Sequence, residues 1–137
     1  MPRHYLLALG LVFVCLLSSS GLASADEERF EASSRGTRSE RAIGGVATWY
    51  GADFQGSPMA DGVPYDMWDP TTAASNIYPL GTRLRVTRVE TGQSIVVRVT
   101  DRGAFRNPIL VDLSYAAFSA LAHPDVGVIR ITVEPID

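Results

Sequence analysis

Thr82-Arg83-Leu84-Arg85-Val86-Thr87-Arg88-Val89-Glu90-Thr91-Gly92-Gln93-Ser94-Ile95-Val96-Val97-Arg98-Val99-Thr100-Asp101-Arg102-Gly103 is the stretch that decides the fold. Leu84 and Val86 fall on one face, with Arg83, Arg85 and Thr87 on the other. Ile95, Val97 and Val99 alternate in the same way with Val96, Arg98 and Thr100. A side-chain period of two belongs to a β-strand that buries one face. The polar, glycine-containing Glu90-Thr91-Gly92-Gln93 between the runs makes them a hairpin. Working outward, Ile129, Ile131 and Val133 alternate with Arg130 and Thr132, which predicts a last strand. Gly45–Tyr50 and Thr71–Ser75 are weaker strand candidates. Ser114 is placed to cap an alanine-rich helix over Tyr115–Ala122, ended by His123-Pro124. Asp112, just upstream, suits the positive end of that helix. Many short strands with one helix predict a mainly β protein built as a compact barrel. Arg83, Arg85, Arg88 and Arg98 then decorate its outer face as exposed charge.

The composition narrows the chemistry. The chain has 137 residues, 12 basic against 15 acidic, and every basic residue is arginine. Without lysine there is no Schiff-base chemistry and no phosphate-loop lysine. Cysteine occurs once, at Cys15, and histidine twice, at His4 and His123. Arg3 followed by the apolar run Tyr5–Leu17 and by Ala23-Ser24-Ala25 reads as a secretory signal cleaved after Ala25. The run is too short to span a bilayer, for which roughly 20 apolar residues are needed. Cys15 sits mid-run behind Val14, which argues against a lipoprotein. Cleavage removes one arginine and no acid, taking the net charge from −3 to −4. It also leaves no thiol and a single imidazole, which rules out disulfides, cysteine-ligated zinc and a paired-histidine metal site. No basic block remains, so neither nucleic acid nor an anionic membrane surface is an expected partner. Acid–base work falls to carboxylates. The expected organisation is a signal peptide over 1–25, a flexible leader over 26–42 and one domain over 43–137. That domain is expected to be periplasmic or extracellular, monomeric, free of cofactor or metal, and without a stable membrane anchor.

Seven segments carry a resemblance. They are Ala47-Thr48-Trp49-Tyr50-Gly51, Met59-Ala60-Asp61-Gly62, Pro64-Tyr65-Asp66-Met67, Thr72-Ala73-Ala74, Tyr78-Pro79-Leu80-Gly81-Thr82-Arg83-Leu84-Arg85-Val86-Thr87, Val97-Arg98-Val99-Thr100-Asp101-Arg102-Gly103-Ala104-Phe105, and Val111-Asp112-Leu113-Ser114 with Ala116-Ala117. In this order and spacing the sequence resembles the rare lipoprotein A (RlpA)-like family across nearly all of residues 45–134. The resemblance implies a six-stranded double-psi β-barrel, as in barwin-like proteins, expansins and some endoglucanases. It also implies a role in the cell envelope. The family's enzymatic members are endolytic peptidoglycan transglycosylases, often septal, that cut peptide-free glycan strands and leave 1,6-anhydro ends.

Three positions of the family's catalytic pattern are an acid after the Asn/Asp-Gly pair, a histidine closing the Thr-Ala-Ala segment, and the aspartate of Asp-Arg-Gly. Here they are Val63, Ser75 and Asp101, so only Asp101 is retained. Glycosidic cleavage ordinarily needs a proton donor and a base or charge stabiliser. Valine supplies neither, and serine does not titrate near neutral pH. Asp61 and Asp66 flank Val63, and in an extended strand Asp61 would share its face. The expected catalytic pair is therefore Asp101 with Asp61. The expected substrate contacts are Tyr50, Tyr65, Trp68 and Phe105, whose rings would stack on sugar faces, with Ser75 and Arg102 as polar contacts. Asp112 is read as a feature of the helix start. The functional expectation is an exported envelope protein acting on peptidoglycan glycan strands or another wall polysaccharide, as an endolytic lytic transglycosylase (a lyase) with weak or lost activity. The alternative is a non-catalytic, expansin-like polysaccharide-binding module. A weaker third class is a secreted effector or inhibitor that binds another protein through the same groove.

Overall fold

The structure, a computed structural model, describes residues 41–136. The expected signal segment, and the leader apart from Arg41 and Ala42, lie outside the described residues. Six strands form in chain order: β1 (Ile43–Tyr50), β2 (Thr72–Ala74), β3 (Arg83–Arg88), β4 (Ser94–Asp101), β5 (Ile109–Ser114) and β6 (Ile129–Ile136). They close into a barrel in the order β1-β5-β2-β4-β3-β6, with β6 returning to β1. β1 with β5 and β2 with β4 are parallel pairs, and the other four are antiparallel. The closed, mixed six-stranded barrel with one short helix is the fold class that the sequence implies.

The hairpin forms as the alternation requires. Leu84 and Val86 face Val97 and Ile95, and Leu84, Val86, Val97 and Val99 are fully or almost fully buried. Ala47, Ala73, Val111, Leu113, Ile131 and Val133 complete the barrel interior, and Phe118 and Leu121 plug it from the helix side. Closure leaves no strand edge free to pair elsewhere. Among the described residues no helix is long and apolar enough to cross a membrane.

Two elements depart from the sequence reading. β5 is a full strand that alternation does not reveal. Its Ile109-Leu110-Val111 start is a continuous apolar run, the pattern of a strand paired parallel on one side and covered on both faces. Asp112 consequently lies inside a strand and not at a helix start. The helix α1 covers only Tyr115–Ser119 instead of running to Ala122. Beyond it the chain tightens: Leu121 N–H reaches Phe118 O, and Leu121 and Ala122 turn into the core. The Arg88 guanidinium caps this turn by donating to Leu121 O at 2.8 Å. Arg88 is therefore half-buried, whereas Arg83, Arg85 and Arg98 are exposed as expected.

Ser114 caps α1 as the sequence suggests. Its Oγ accepts from Ala117 N at 3.1 Å and donates to Asp69 O at 2.6 Å. One buried hydroxyl thus starts the helix and pins the 56–71 loop to β5. Ser114→Ala is expected to lower stability by about 2 kcal/mol, since it removes a cap and strands buried polar groups. A thermal melt checks this against Ser119→Ala, whose exposed hydroxyl only bonds back to Tyr115 O and whose loss should leave Tm nearly unchanged.

Candidate active site

Strand register builds the site. Asp101 on β4 pairs with Ala74 on β2, Ala74 with Asp112 on β5, and Asp112 with Thr48 on β1. The four residues form one row across four neighbouring strands. Their chain neighbours Ala73, Leu113 and Ala47 face the barrel interior, so by strand alternation the row faces outward. A register shift between Ala73 and Ala74 brings Asp101, and not Thr100, into the row. With neighbouring strands ~4.8 Å apart, the backbones of Asp101 and Asp112 stand roughly 9.6 Å from each other. Ala74 stands between them in the row and is itself buried, and the Tyr50 hydroxyl lies within electrostatic reach of both carboxylates.

The two carboxylates sit in different surroundings. Asp101 Oδ1 accepts from Ala60 N at 2.9 Å and from Arg102 N at 2.8 Å, so two backbone donors fix its orientation. No ion pair reaches it among the described residues. Asp112 accepts a hydrogen bond from the Thr48 hydroxyl at 2.9 Å. Burial pushes its carboxyl above the ordinary aspartate value; the Thr48 bond opposes this, and the Asp101 charge adds to it. The Tyr50 hydroxyl lies against Asp101, and burial first, then the Asp101 charge, pushes its pKa up. It therefore stays a neutral donor throughout the physiological range.

The expected site residues divide. Asp101 and Tyr50 belong to the row and its rim. Trp68 is 64% exposed, held by its N–H on Asp66 Oδ1 and packed edge-on against Tyr115 with centroids 5.3 Å apart. Its free face is open to a ligand. Tyr65, expected as a stacking wall, is instead buried beneath Tyr50. The two rings stack with centroids 4.1 Å apart, and the Tyr65 hydroxyl donates to Tyr50 O. Burial raises the Tyr65 pKa to about 12. It props Tyr50 and presents no face to a sugar.

Ser75 is fully buried, its hydroxyl donating to Leu110 O at 3.1 Å, so it is a structural link from the end of β2 to β5 and not a substrate contact. Arg102 points its guanidinium away from Asp101, onto the carbonyls of Ser75 and Tyr78. It clamps the 75–78 loop. Phe105 is half-buried, with its ring against Gly103. Any side chain at position 103 would collide with that ring, which explains the glycine there.

Asp61 is the clearest departure. Residues 60–63 are a turn and not an extended strand, because Asp61 Oδ1 accepts from Val63 N at 2.9 Å. Asp61 and the 54% exposed Val63 line a cavity, and the Asp61 carboxylate is taken up by Val63 N while its backbone N–H donates to Thr100 O. The second carboxylate of the row is Asp112, which accepts from the Thr48 hydroxyl. A signal for both was present: each is the single polar residue between apolar neighbours, in Ala47-Thr48-Trp49 and Val111-Asp112-Leu113. The first lies in the Gly45–Tyr50 strand candidate; reading the second as a strand as well turns both side chains to one outer face.

The comparisons agree with this architecture. A protein-family model described as lytic transglycolase matches residues 42–133. The endolytic peptidoglycan transglycosylase RlpA of Pseudomonas aeruginosa (strain UCBPP-PA14) is 43% identical over 93 residues, which is 68% of this chain and 27% of that protein. The chain thus spans about a quarter of the length of that relative. Among solved structures, Streptomyces papain inhibitor superposes with a TM-score of 0.57 at 29% identity, covering 71% of this chain and 96% of that one. A mutant Clavibacter michiganensis expansin in complex with cellohexaose superposes with a TM-score of 0.57 at 25% identity, covering 71% and 51%.

The raised Asp112 pKa makes a signed prediction. A carboxyl whose pKa is higher folded than unfolded stabilises the fold while protonated, and that contribution is lost as pH rises through the folded-state value. Asp112→Asn, which keeps a partner for Thr48, is expected to melt above wild type at pH 7. The difference should close as pH falls below roughly 4, where aspartate is protonated in both states. Thermal melts across pH 3–7 read it directly.

Proposed function

The chain belongs to the lytic transglycolase family of RlpA-like double-psi β-barrels, and from that premise we propose that it acts on peptidoglycan glycan strands as an endolytic lytic transglycosylase. The single observation that carries the reading is the Asp101–Ala74–Asp112–Thr48 row, two carboxylates on either side of Ala74 with unlike environments. Such a pair divides acid from base. Asp112, held toward its protonated form, donates to the glycosidic oxygen of the leaving sugar. As that C–O bond breaks, positive charge develops at C1 of the muramic acid residue, and the fixed Asp101 carboxylate stabilises it. Asp101 then takes the proton from the sugar's own 6-hydroxyl, whose oxygen bonds C1 and closes the 1,6-anhydro ring. No water is consumed. Thr48 orients Asp112, Tyr50 donates beside Asp101, and Trp68 offers a stacking face for a flanking sugar.

In this reading the substitutions at positions 63 and 75 leave the row intact, since neither residue belongs to it. The setting is the cell envelope, reached by export behind the cleaved signal, with the domain acting as a monomer. The second reading is a non-catalytic polysaccharide-binding barrel. The exposed Trp68 face favours it, as does the likeness to an expansin solved with cellohexaose.

Digestion of peptide-free glycan strands, followed by mass spectrometry for 1,6-anhydro products, separates the two. Asp101→Asn and Asp112→Asn are each expected to cut product formation by ~10²–10⁴-fold, the usual range for removing acid–base assistance. Product yield unchanged by either substitution would overturn the mechanism. Absence of product from wild type, with strands still retained, would establish the binding reading. Trp68→Ala is expected to weaken retention of strands on immobilised protein by roughly tenfold, the scale of one lost stacking contact.

A further inference from the structure

A cavity of about 600 Å³ is lined by Thr100, the chain neighbour of Asp101, and by none of the row residues, and the chemistry above makes no use of it. Thr72, Arg83 and Arg98 form its strand wall, and Asp61, Asp66 and Asp69 stand on its loop wall. Arg83 is the direct cross-strand partner of Arg98, and Arg98 of Thr72, so two guanidinium groups and a hydroxyl share one line across three strands. Like charges placed directly opposite each other are destabilising. Arg85 is matched with Glu134 at 2.7 Å, and Arg88 with Glu90 at 3.5 Å. Among the described residues no hydrogen bond or ion pair reaches the Arg98 guanidinium.

Thr72 supplies an independent observation. It is only 7% exposed, and its buried Oγ1 has no hydrogen-bond partner among the described residues. A buried hydroxyl in that condition costs free energy that an acceptor would recover. The three aspartates, by contrast, are turned back on their own loop. Asp61 accepts from Val63 N, Asp66 from Trp68 N, and Asp69 from the N–H and hydroxyl of Thr71. They leave the loop wall anionic and accepting, opposite a strand wall that is cationic and donating.

We propose that this cavity is a subsite for a sugar-borne carboxylate. Arg98 and Arg83 take the carboxylate through charge-assisted hydrogen bonds, and the Thr72 hydroxyl donates to the same group. The aspartate wall accepts from hydroxyl and acetamido N–H groups of that sugar and repels a continuous polyanion. On the glycan reading above, on which this inference rests, the group is the lactyl carboxylate of a muramic acid residue with no peptide attached. Position in the cleft is then read by charge.

The test titrates the full chain, carrying Asp112→Asn to slow cleavage, with three probes. They are peptide-free glycan strands, the same strands with their carboxyls converted to methylamides, and polygalacturonate. Native strands are expected to bind about tenfold more tightly than amidated ones, with the advantage shrinking as salt rises. Arg83→Gln with Arg98→Gln removes the advantage and leaves the affinity for amidated strands unchanged. Equal affinity for native and amidated strands overturns the subsite and leaves the glycan reading standing. Arginine-dependent binding of polygalacturonate without binding of native strands overturns the assignment to muramic acid. Failure to bind any glycan strand overturns the glycan reading and the subsite with it. The amidated probe needs no substitution at the arginines, so the comparison holds even if the double variant is unstable.

Discussion

Barrel closure dictates which polar residues of this chain can meet, because each strand is hydrogen-bonded on both sides and no register can slip without turning its side chains to the other face. β5 is held between β1 and β2, and β2 between β5 and β4. Once Ala73 and Leu113 are committed to the core, Ala74 and Asp112 must face outward, and Thr48 follows from Ala47. The shift between Ala73 and Ala74 is the one irregularity on the β4 side. It buries Thr100, whose hydroxyl lies on Met59 Sδ at 3.3 Å, and delivers Asp101 to the outer row. Four residues far apart in sequence thus become neighbours through apolar packing alone.

That placement then sets the electrostatics. Asp101 is held by two backbone N–H groups from its own strand end and from the 56–71 loop. Asp112 has a single neutral donor, and its burial pushes its carboxyl above the ordinary aspartate value. The loops are tied to the same frame. Asn76 donates to Gly103 O and Phe105 O, Arg102 spans to the 75–78 carbonyls, and Ser114 holds the 56–71 loop. These links position the rim without touching the row. They also explain how serine is accommodated at position 75: its hydroxyl closes the Leu110 carbonyl in a buried corner.

Most of the fold was legible in the sequence. The 82–100 hairpin and β6 show clean alternation, and Ser114 carries a helix-start signature that the structure realises. β5 was hidden because burial on both faces erases alternation, and with it went the placement of Asp112. The site was half legible. The motif segments single out Asp101 and Tyr50, which the structure brings together, whereas the extended strand expected at Asp61 is folded into a turn by its own carboxylate. Tyr65 and Trp68 sit three residues apart with similar composition around them. Only the stack beneath Tyr50 and the solvent-open edge of Tyr115 decide which ring is core and which is surface. Long-range register of this kind is not written in local periodicity.

The account stands on Asp101 and Asp112 acting as one electrostatic unit across Ala74. Carboxyl ¹³C chemical shifts followed through a pH titration of the folded protein, with and without Asp101→Asn, measure this most directly. The account predicts that Asp112 titrates above the ordinary aspartate range and moves downward when the Asp101 charge is removed. An Asp112 that titrates at or below the ordinary value, and does not respond to residue 101, would contradict it.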